Sequence, residues 1–321
     1  MDNDQIAESI LDGGVRDAAR LMRAIDDGSP QAIEVLKRLY PHTGRAYVLG
    51  VTGSPGVGKS TLTNALVERF RSEGKTVGVV AVDPTSPFTG GAILGDRIRM
   101  QQHSTDEGVF IRSLATRGHF GGITASTRGV VTVMDAMGKD VILVETVGVG
   151  QDEVDIVRMA DTTVIVTVPG LGDEVQAIKA GLLEVGDIYV VNKMDLEGAQ
   201  ITANQLKAML ALKNEKCCEG GWNPPVVMTC AATRRGMEEL MEALSGHRAV
   251  LAANEGQLMT ERKVARVRKE LMELVQYSLM KIVIDKFEAV DQFDRLAHEI
   301  AEGLKDPYTA CEQILNNISA E

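Results

Sequence analysis

The spacing of apolar and polar residues divides the chain into three stretches. In the first 45 residues Ile6, Ile10, Val15, Ala18, Ala19, Met22 and Ile25 recur mostly at threes and fours, which predicts amphipathic helix. Asp12-Gly13-Gly14 interrupts that pattern, and Gly28-Ser29-Pro30 opens a further short helix over Gln31–Tyr40, since Ser suits an N-cap and Pro the first helical turn. From Ala46 the texture changes to short β-branched runs: Ala46–Thr52, Thr76–Val82, Val109–Leu114, Val141–Val144, Thr163–Val168, Ile188–Val191 and Val226–Thr229. Near-continuous Val/Ile runs mark strands covered on both faces, and helical stretches between them predict a doubly wound, mostly parallel sheet. Beyond Ala253 the helical period returns, with Val264, Val267, Leu271, Leu274, Val275 and Leu279 on one face, and Asp306-Pro307 precedes a last short helix. The expected organisation is a helical N-terminal unit over 1–45, an α/β domain over 46–252 and a helical C-terminal region over 253–321.

The chain's 321 residues suffice for one large α/β domain with appendages. A net charge of -11 argues against non-specific binding to nucleic acid or to an anionic membrane. The apolar stretch around Thr162–Val168 is far shorter than the ~20 residues of a membrane span, and the acidic start Met1-Asp2-Asn3-Asp4 opens no signal peptide. The four Cys include no CxxC, so reduced thiols in the cytoplasm are expected. The 32 Gly beside 12 aromatic residues point to backbone that turns tightly or approaches a ligand.

Several of those glycines stand where a ligand is expected. Directly after the first strand comes Gly53-Ser54-Pro55-Gly56-Val57-Gly58-Lys59-Ser60-Thr61, a G-x-x-x-x-G-K-[ST] loop running straight into the helical pattern Leu62, Ala65, Leu66, Phe70. Its amides suit phosphate oxygens, Lys59 suits the β/γ-phosphates and the Ser60 hydroxyl suits Mg²⁺. This makes the domain a P-loop NTPase. Asn192-Lys193-Met194-Asp195 follows the strand Ile188–Val191, and a carboxylate there accepts the two N–H donors that guanine has and adenine lacks. Cys230-Ala231-Ala232 closes the next strand, either as an ordinary strand end or as a backbone donor to the guanine carbonyl.

The strand Val141–Val144 runs into Glu145-Thr146-Val147-Gly148, where GTPases usually carry D-x-x-G. Glu145 and Asp83 are the acids expected near the metal; Asp96 is either a third or a solvated loop acid. Gly148 is expected at the γ-phosphate. Val149 stands where many GTPases place a water-orienting glutamine, and Gln151 lies two residues on, which predicts slow intrinsic hydrolysis completed by a partner. Three glycine-rich stretches, at 89–95, 117–122 and 169–174, are either nucleotide-sensitive switches or tight connections. Arg117, His119 and Lys179 are candidates for partner or phosphate contact, or plain solvated side chains.

Taken in order, GSPGVGKST, VDPTSP, GAILGDR, ATRGHFGG, ETVGVGQ and NKMD resemble the MeaB/ArgK/MMAA family of P-loop GTPases over nearly the whole chain. The resemblance implies a GTPase chaperone of adenosylcobalamin-dependent acyl-CoA mutases, chiefly methylmalonyl-CoA mutase, that gates cofactor loading and protects or rescues the mutase. It implies homodimers through the C-terminal helices. It further implies that Gly53–Thr61 bind phosphates, that Ser60, Asp83, Asp96 and Glu145 serve Mg²⁺, and that Asn192, Lys193 and Asp195 read guanine. The segment from Pro169 to about Lys179, with Asp173 and Glu174, resembles the family's extra switch. One departure is Cys230-Ala231 where the family usually has Ser-Ala. Two other readings of the sequence are a Ni/Zn-delivery GTPase, for which the five scattered His are a poor start, and a small-molecule kinase, which NKxD disfavours.

Overall fold

A computed structural model of the chain describes residues 2–83, 103, 105–115, 122–146, 159–170, 185–214, 221–288 and 292–319. Its centre is a seven-stranded sheet ordered β3-β2-β4-β1-β5-β6-β7, every pair parallel. The strands are β1 (Tyr47–Thr52), β2 (Val77–Asp83), β3 (Val109–Ala115), β4 (Val141–Thr146), β5 (Thr162–Thr167), β6 (Ile188–Val191) and β7 (Val226–Met228). Each expected run became a strand within a residue or two of its bounds. β1, β4, β5 and β6 are buried at every position, as Val/Ile-rich strands covered on both faces must be.

Alternation along the strands feeds two apolar layers. On one face Leu49, Val51, Val79, Leu143, Val166 and Val190 pack with α4 (Lys59–Ser72) and with the start of α7 (Met237–Glu288) through Leu62, Leu66, Leu240 and Leu244. On the other, Val48, Val80, Val82, Ile142 and Val144 meet α5 (Gly122–Ala136) and the N-terminal helices α1 (Asn3–Leu11), α2 (Val15–Asp26) and α3 (Pro30–Leu39). The first 45 residues therefore share a core with the sheet. Ser29 holds the N-cap position of α3 but makes no side-chain capping bond, and a 3₁₀ turn over Tyr40–His42 follows. α6 (Ala199–Asn214) lies against β6 and β7.

At the amino edge of the sheet, carboxylates accept backbone N–H groups that the ladder leaves over. Asp161 takes Val48 N (2.9 Å), Asp187 takes Thr163 N (2.8 Å) and Asp140 takes Thr76 N (2.8 Å). Asp135 on α5 likewise holds the amides of Gly44, Arg45 and Ala46.

The chain divides into two compact units, residues 1–263 and 264–321, with the division inside α7. The second contains the rest of α7, α8 (Gln292–Ala301) and α9 (Pro307–Ser319), the last capped by Asp306 through Tyr308 N (2.9 Å) and Thr309 N (3.0 Å). In this unit Val264, Leu271, Leu279 and Ile282 are exposed. Among the described residues no helix is long and apolar enough to cross a membrane.

Candidate functional site: a phosphate loop joined to a guanine-type motif

β1 lies between β4 and β5, and its carboxyl end releases residues 53–58 before α4 begins at Lys59. That is the crevice position of a doubly wound sheet, with the amino end of a helix aimed into it. Gly58 caps α4 in the left-handed region (φ 91°), which a glycine adopts without the clash other side chains suffer. A Cβ at this position would also stand 2.6 Å from Asn192 Nδ2. Lys59 is buried, and its ammonium donates to the carbonyls of Gly53 (2.5 Å) and Ser54 (2.8 Å) across the loop.

Ser60 Oγ donates to Glu145 Oε1 at 2.5 Å. Glu145 is 5% exposed and stands beside Val51 in the β1–β4 register, so strand pairing itself brings this acid to the loop. One residue on, Thr146 Oγ1 donates to Thr52 Oγ1 (3.0 Å), tying the two strand ends together. A hydroxyl and a carboxylate oxygen at this separation form a hard-oxygen donor pair that fits Mg²⁺. Asp83 is the last residue of β2, next to β4 on its other side. Asp96, Gly148, Gln151, Arg117, His119, Asp173, Glu174 and Lys179 lie outside the described residues.

The guanine-type motif begins where β6 ends. Asn192 is buried and its carboxamide is used at both ends. Nδ2 donates to Val57 O in the phosphate loop (2.9 Å), and Oδ1 accepts from Ala231 N (3.0 Å) and Thr229 Oγ1 (3.1 Å). Lys193, in the left-handed region at φ 55°, donates through Nζ to Gly56 O (2.9 Å). Two consecutive residues of N-K-x-D thus hold the phosphate loop from the side, and Asn192 also holds the turn after β7.

Asp195 is exposed at this edge. A hydrogen bond from the Cys230 side chain, then its own backbone amide and the charges of Arg235 and Lys193, hold its carboxyl below the usual carboxylate range. Of the three amides at 230–232, Cys230 N donates to Arg235 O (3.0 Å) and Ala231 N to Asn192; Ala232 N makes no hydrogen bond among the described residues. Arg234, at φ 63°, forms a bidentate pair with Glu68 of α4 (2.7 Å twice) and also reaches Ala231 O. The sequence points to Cys230 only for its backbone and shows neither this brace nor the thiol's contact with Asp195, because an arginine in a turn and a cysteine at a strand end carry no spacing signal. The phosphate-loop and N-K-x-D residues, by contrast, are brought together as their motifs suggest.

A glycine-rich strand-to-helix loop at the centre of a parallel sheet, linked side by side to N-K-x-D at the next strand end but one, defines a P-loop GTPase. The family model described as methylmalonyl-CoA mutase-associated GTPase MeaB matches residues 18–288. The chain belongs to that family. It is 49% identical over 318 residues to a protein of Pyrococcus abyssi named as a GTPase, covering 98% of this chain and 96% of that one. It is 34% identical over 314 residues to the GTPase ArgK of Escherichia coli, covering 94% and 92%. A crystal structure described as LAO/AO transport system kinase superposes with a TM-score of 0.74 at 26% identity, covering 99% of this chain and 97% of that one.

Proposed function

We propose that this GTPase couples its nucleotide state to an adenosylcobalamin-dependent acyl-CoA mutase of the methylmalonyl-CoA mutase type, gating cofactor loading and protecting or reactivating the mutase. The family description over residues 18–288 is the observation that carries the partner, and the Asn192 link between the phosphate loop and the turn after β7 is what the nucleotide chemistry rests on.

In this reading the amides of residues 53–61 cradle the phosphates. Lys59 leaves the Gly53 and Ser54 carbonyls for the β/γ-phosphate oxygens, an exchange of neutral acceptors for charged ones. Asp195 accepts from the guanine ring. Ser60 and Glu145, with Asp83 and Asp96, would hold Mg²⁺, whose charge offsets that developing on the phosphates. Gly148 donates its amide to the γ-phosphate and Gln151 orients water, slowly in the free protein. Arg117, His119, Asp173, Glu174 and Lys179 belong to the surfaces that respond to the mutase. The exposed apolar side chains of the second unit support homodimerisation through the C-terminal helices. A cytoplasmic setting and no nucleic-acid partner accord with the acidic charge.

The test is GTP turnover with and without acyl-CoA mutases. Stimulation of tenfold or more by one mutase is the expected result. Unchanged turnover with every acyl-CoA mutase tried overturns the chaperone reading while leaving the GTPase assignment intact.

A further inference from the structure

The amino edge of the sheet, opposite the phosphate loop, holds a cavity of about 110 Å³. A water needs roughly 10–15 Å³ by the same measure, so the space suits a ligand of several heavy atoms. Three cationic side chains from separate elements line it: Arg45 before β1, Lys75 before β2 and Arg248 on α7. All three residues are exposed. Among the described residues none of the three makes a side-chain hydrogen bond or a salt bridge; Arg248 instead lies over the ring of Tyr47, 5.1 Å from its centroid. The floor is apolar, built from Tyr47, Phe70, Val141, Met241 and Leu244.

Two carboxylates share the cavity. Asp140 is already engaged, accepting from Thr76 N (2.8 Å) and Thr76 Oγ1 (2.9 Å), and its carboxyl is held below the usual range first by the Thr76 amide. Lys75 and Arg248 act on it through space without closing a salt bridge. Glu73 is exposed, and its carboxylate takes no hydrogen bond among the described residues. The lining thus carries three cations against two carboxylates, one of them already engaged by Thr76, and the excess positive charge over the buried apolar floor favours an anion.

We propose that this cavity is a second ligand site, separate from the nucleotide site, for a small hydroxylated organic anion. A carboxylate or phosphate group meets Arg45, Lys75 and Arg248, the carbon chain lies on Phe70 and Leu244, and a hydroxyl donates to Glu73. The ring of Tyr47 that carries Arg248 is tied inward: its hydroxyl donates to Thr162 Oγ1 (2.5 Å), which also meets His247 Nδ1 (2.7 Å) on α7. The ligand therefore sits where β1 and α7 are joined.

Because the phosphate loop itself takes anions, the test uses the full-length protein saturated with GDP and Mg²⁺, titrated with malate, glycerol 3-phosphate or inorganic phosphate at constant ionic strength and followed by calorimetry and by amide NMR shifts. Saturable binding is expected, with shifts at the pocket's backbone amides and not at residues 53–61. Lys75→Gln/Arg248→Gln is expected to weaken it by at least about tenfold while GDP affinity stays unchanged. Arg45→Gln is a second, independent variant with the same expected direction. Binding of malate alone or of the phosphates alone assigns the ligand class. No saturable binding by any of the three, or binding that persists unchanged in both variants, overturns the proposal.

Discussion

His247 and Arg262 reach the same carboxylate oxygen of Asp187, at 3.3 and 3.1 Å, although fifteen positions of α7 separate them. In a straight helix those positions would stand about 22 Å apart, further than the two side chains can meet across one oxygen. α7 therefore turns between them. Gly256, at φ 74°, is the residue whose backbone leaves the right-handed helix there. Asp187 fastens both sides of that turn to the loop before β6.

Gly256→Ala tests the turn. Nothing lies within 4 Å of a Cβ at this position, so the cost is backbone strain alone. A loss of about 1 kcal/mol of stability is expected from chemical denaturation, with Gly256→Asn losing less because Asn tolerates the left-handed region. Equal stability of the Ala variant would mean the turn is not held in solution.

Asp187→Asn tests the fastening. Burial pushes the Asp187 carboxyl up, but the His247 contact and charge, Arg262 and the Thr163 amide together hold it below its ordinary value. A carboxyl depressed in the folded state stabilises the protein above its unfolded pKa of about 3.9, and that contribution is lost as pH falls through the folded value. At pH 7 the variant should be less stable by about 3 kcal/mol. The gap between the two proteins should close as pH is lowered beneath about 4. Denaturation at a series of pH values reads both, and a gap independent of pH would show that Asp187 acts by shape rather than charge.

The strands were legible because runs such as Val141–Val144 and Ile188–Val191 are near-continuously apolar, as doubly covered strands are, and the G-x-x-x-x-G-K-[ST] loop directly after the first strand marked the candidate phosphate site. The packing of α1 to α3 on the sheet was not legible, since an amphipathic face such as Ile6, Ile10, Met22 does not name what covers it. Nor was the turn in α7: a lone Gly256 ahead of the apolar period that starts at Val264 does not announce a turn within a helix, and only the meeting of His247 and Arg262 on Asp187 reveals it. Within the site, N-K-x-D announced a base contact, whereas the structure adds that Asn192 spends both ends of its carboxamide holding two loops together. Long-range bridges of this kind leave no periodic mark.

Gly58→Ala follows from that bridge. The added methyl would press on Asn192 Nδ2 at 2.6 Å and strain a backbone at φ 91°, so the Asn192–Val57 bond has to break for the loop to adapt. GDP affinity is expected to fall at least tenfold, with a fold unchanged by circular dichroism and stability reduced by about 1–3 kcal/mol. A variant that binds GDP as tightly as the wild type would show that the two loops are not coupled through Asn192.

Cys230→Ala bears on the departure from the usual serine. The hydrogen bond from the thiol does most to hold the Asp195 carboxyl down, so its removal moves that carboxyl back toward the ordinary carboxylate range. If guanine is read by ionised Asp195, GDP binding fades as pH falls through its pKa, and the acid limb of the binding curve should move to higher pH in the variant. Cys230→Ser, which keeps a donor, should leave the limb near its wild-type position. Fluorescent-GDP titrations between neutral pH and the acid range distinguish the three proteins, and superimposable acid limbs would exclude the thiol from base reading.

Asp195→Asn asks whether this carboxylate selects the base at all. Guanine presents a ring N–H and an amine side by side, both donors, and an ionised carboxylate accepts both. A carboxamide accepts once and donates once, so it faces the amine with an N–H and leaves two donors opposed. Loss of GTP affinity of a hundredfold or more is expected. Xanthine carries a carbonyl in place of the amine and restores the match, so the variant should bind xanthosine triphosphate better than GTP, reversing the wild-type order. Competition against fluorescent GDP and against its xanthosine counterpart measures both affinities. A variant that simply loses both nucleotides would place Asp195 in holding the loop rather than in reading the base.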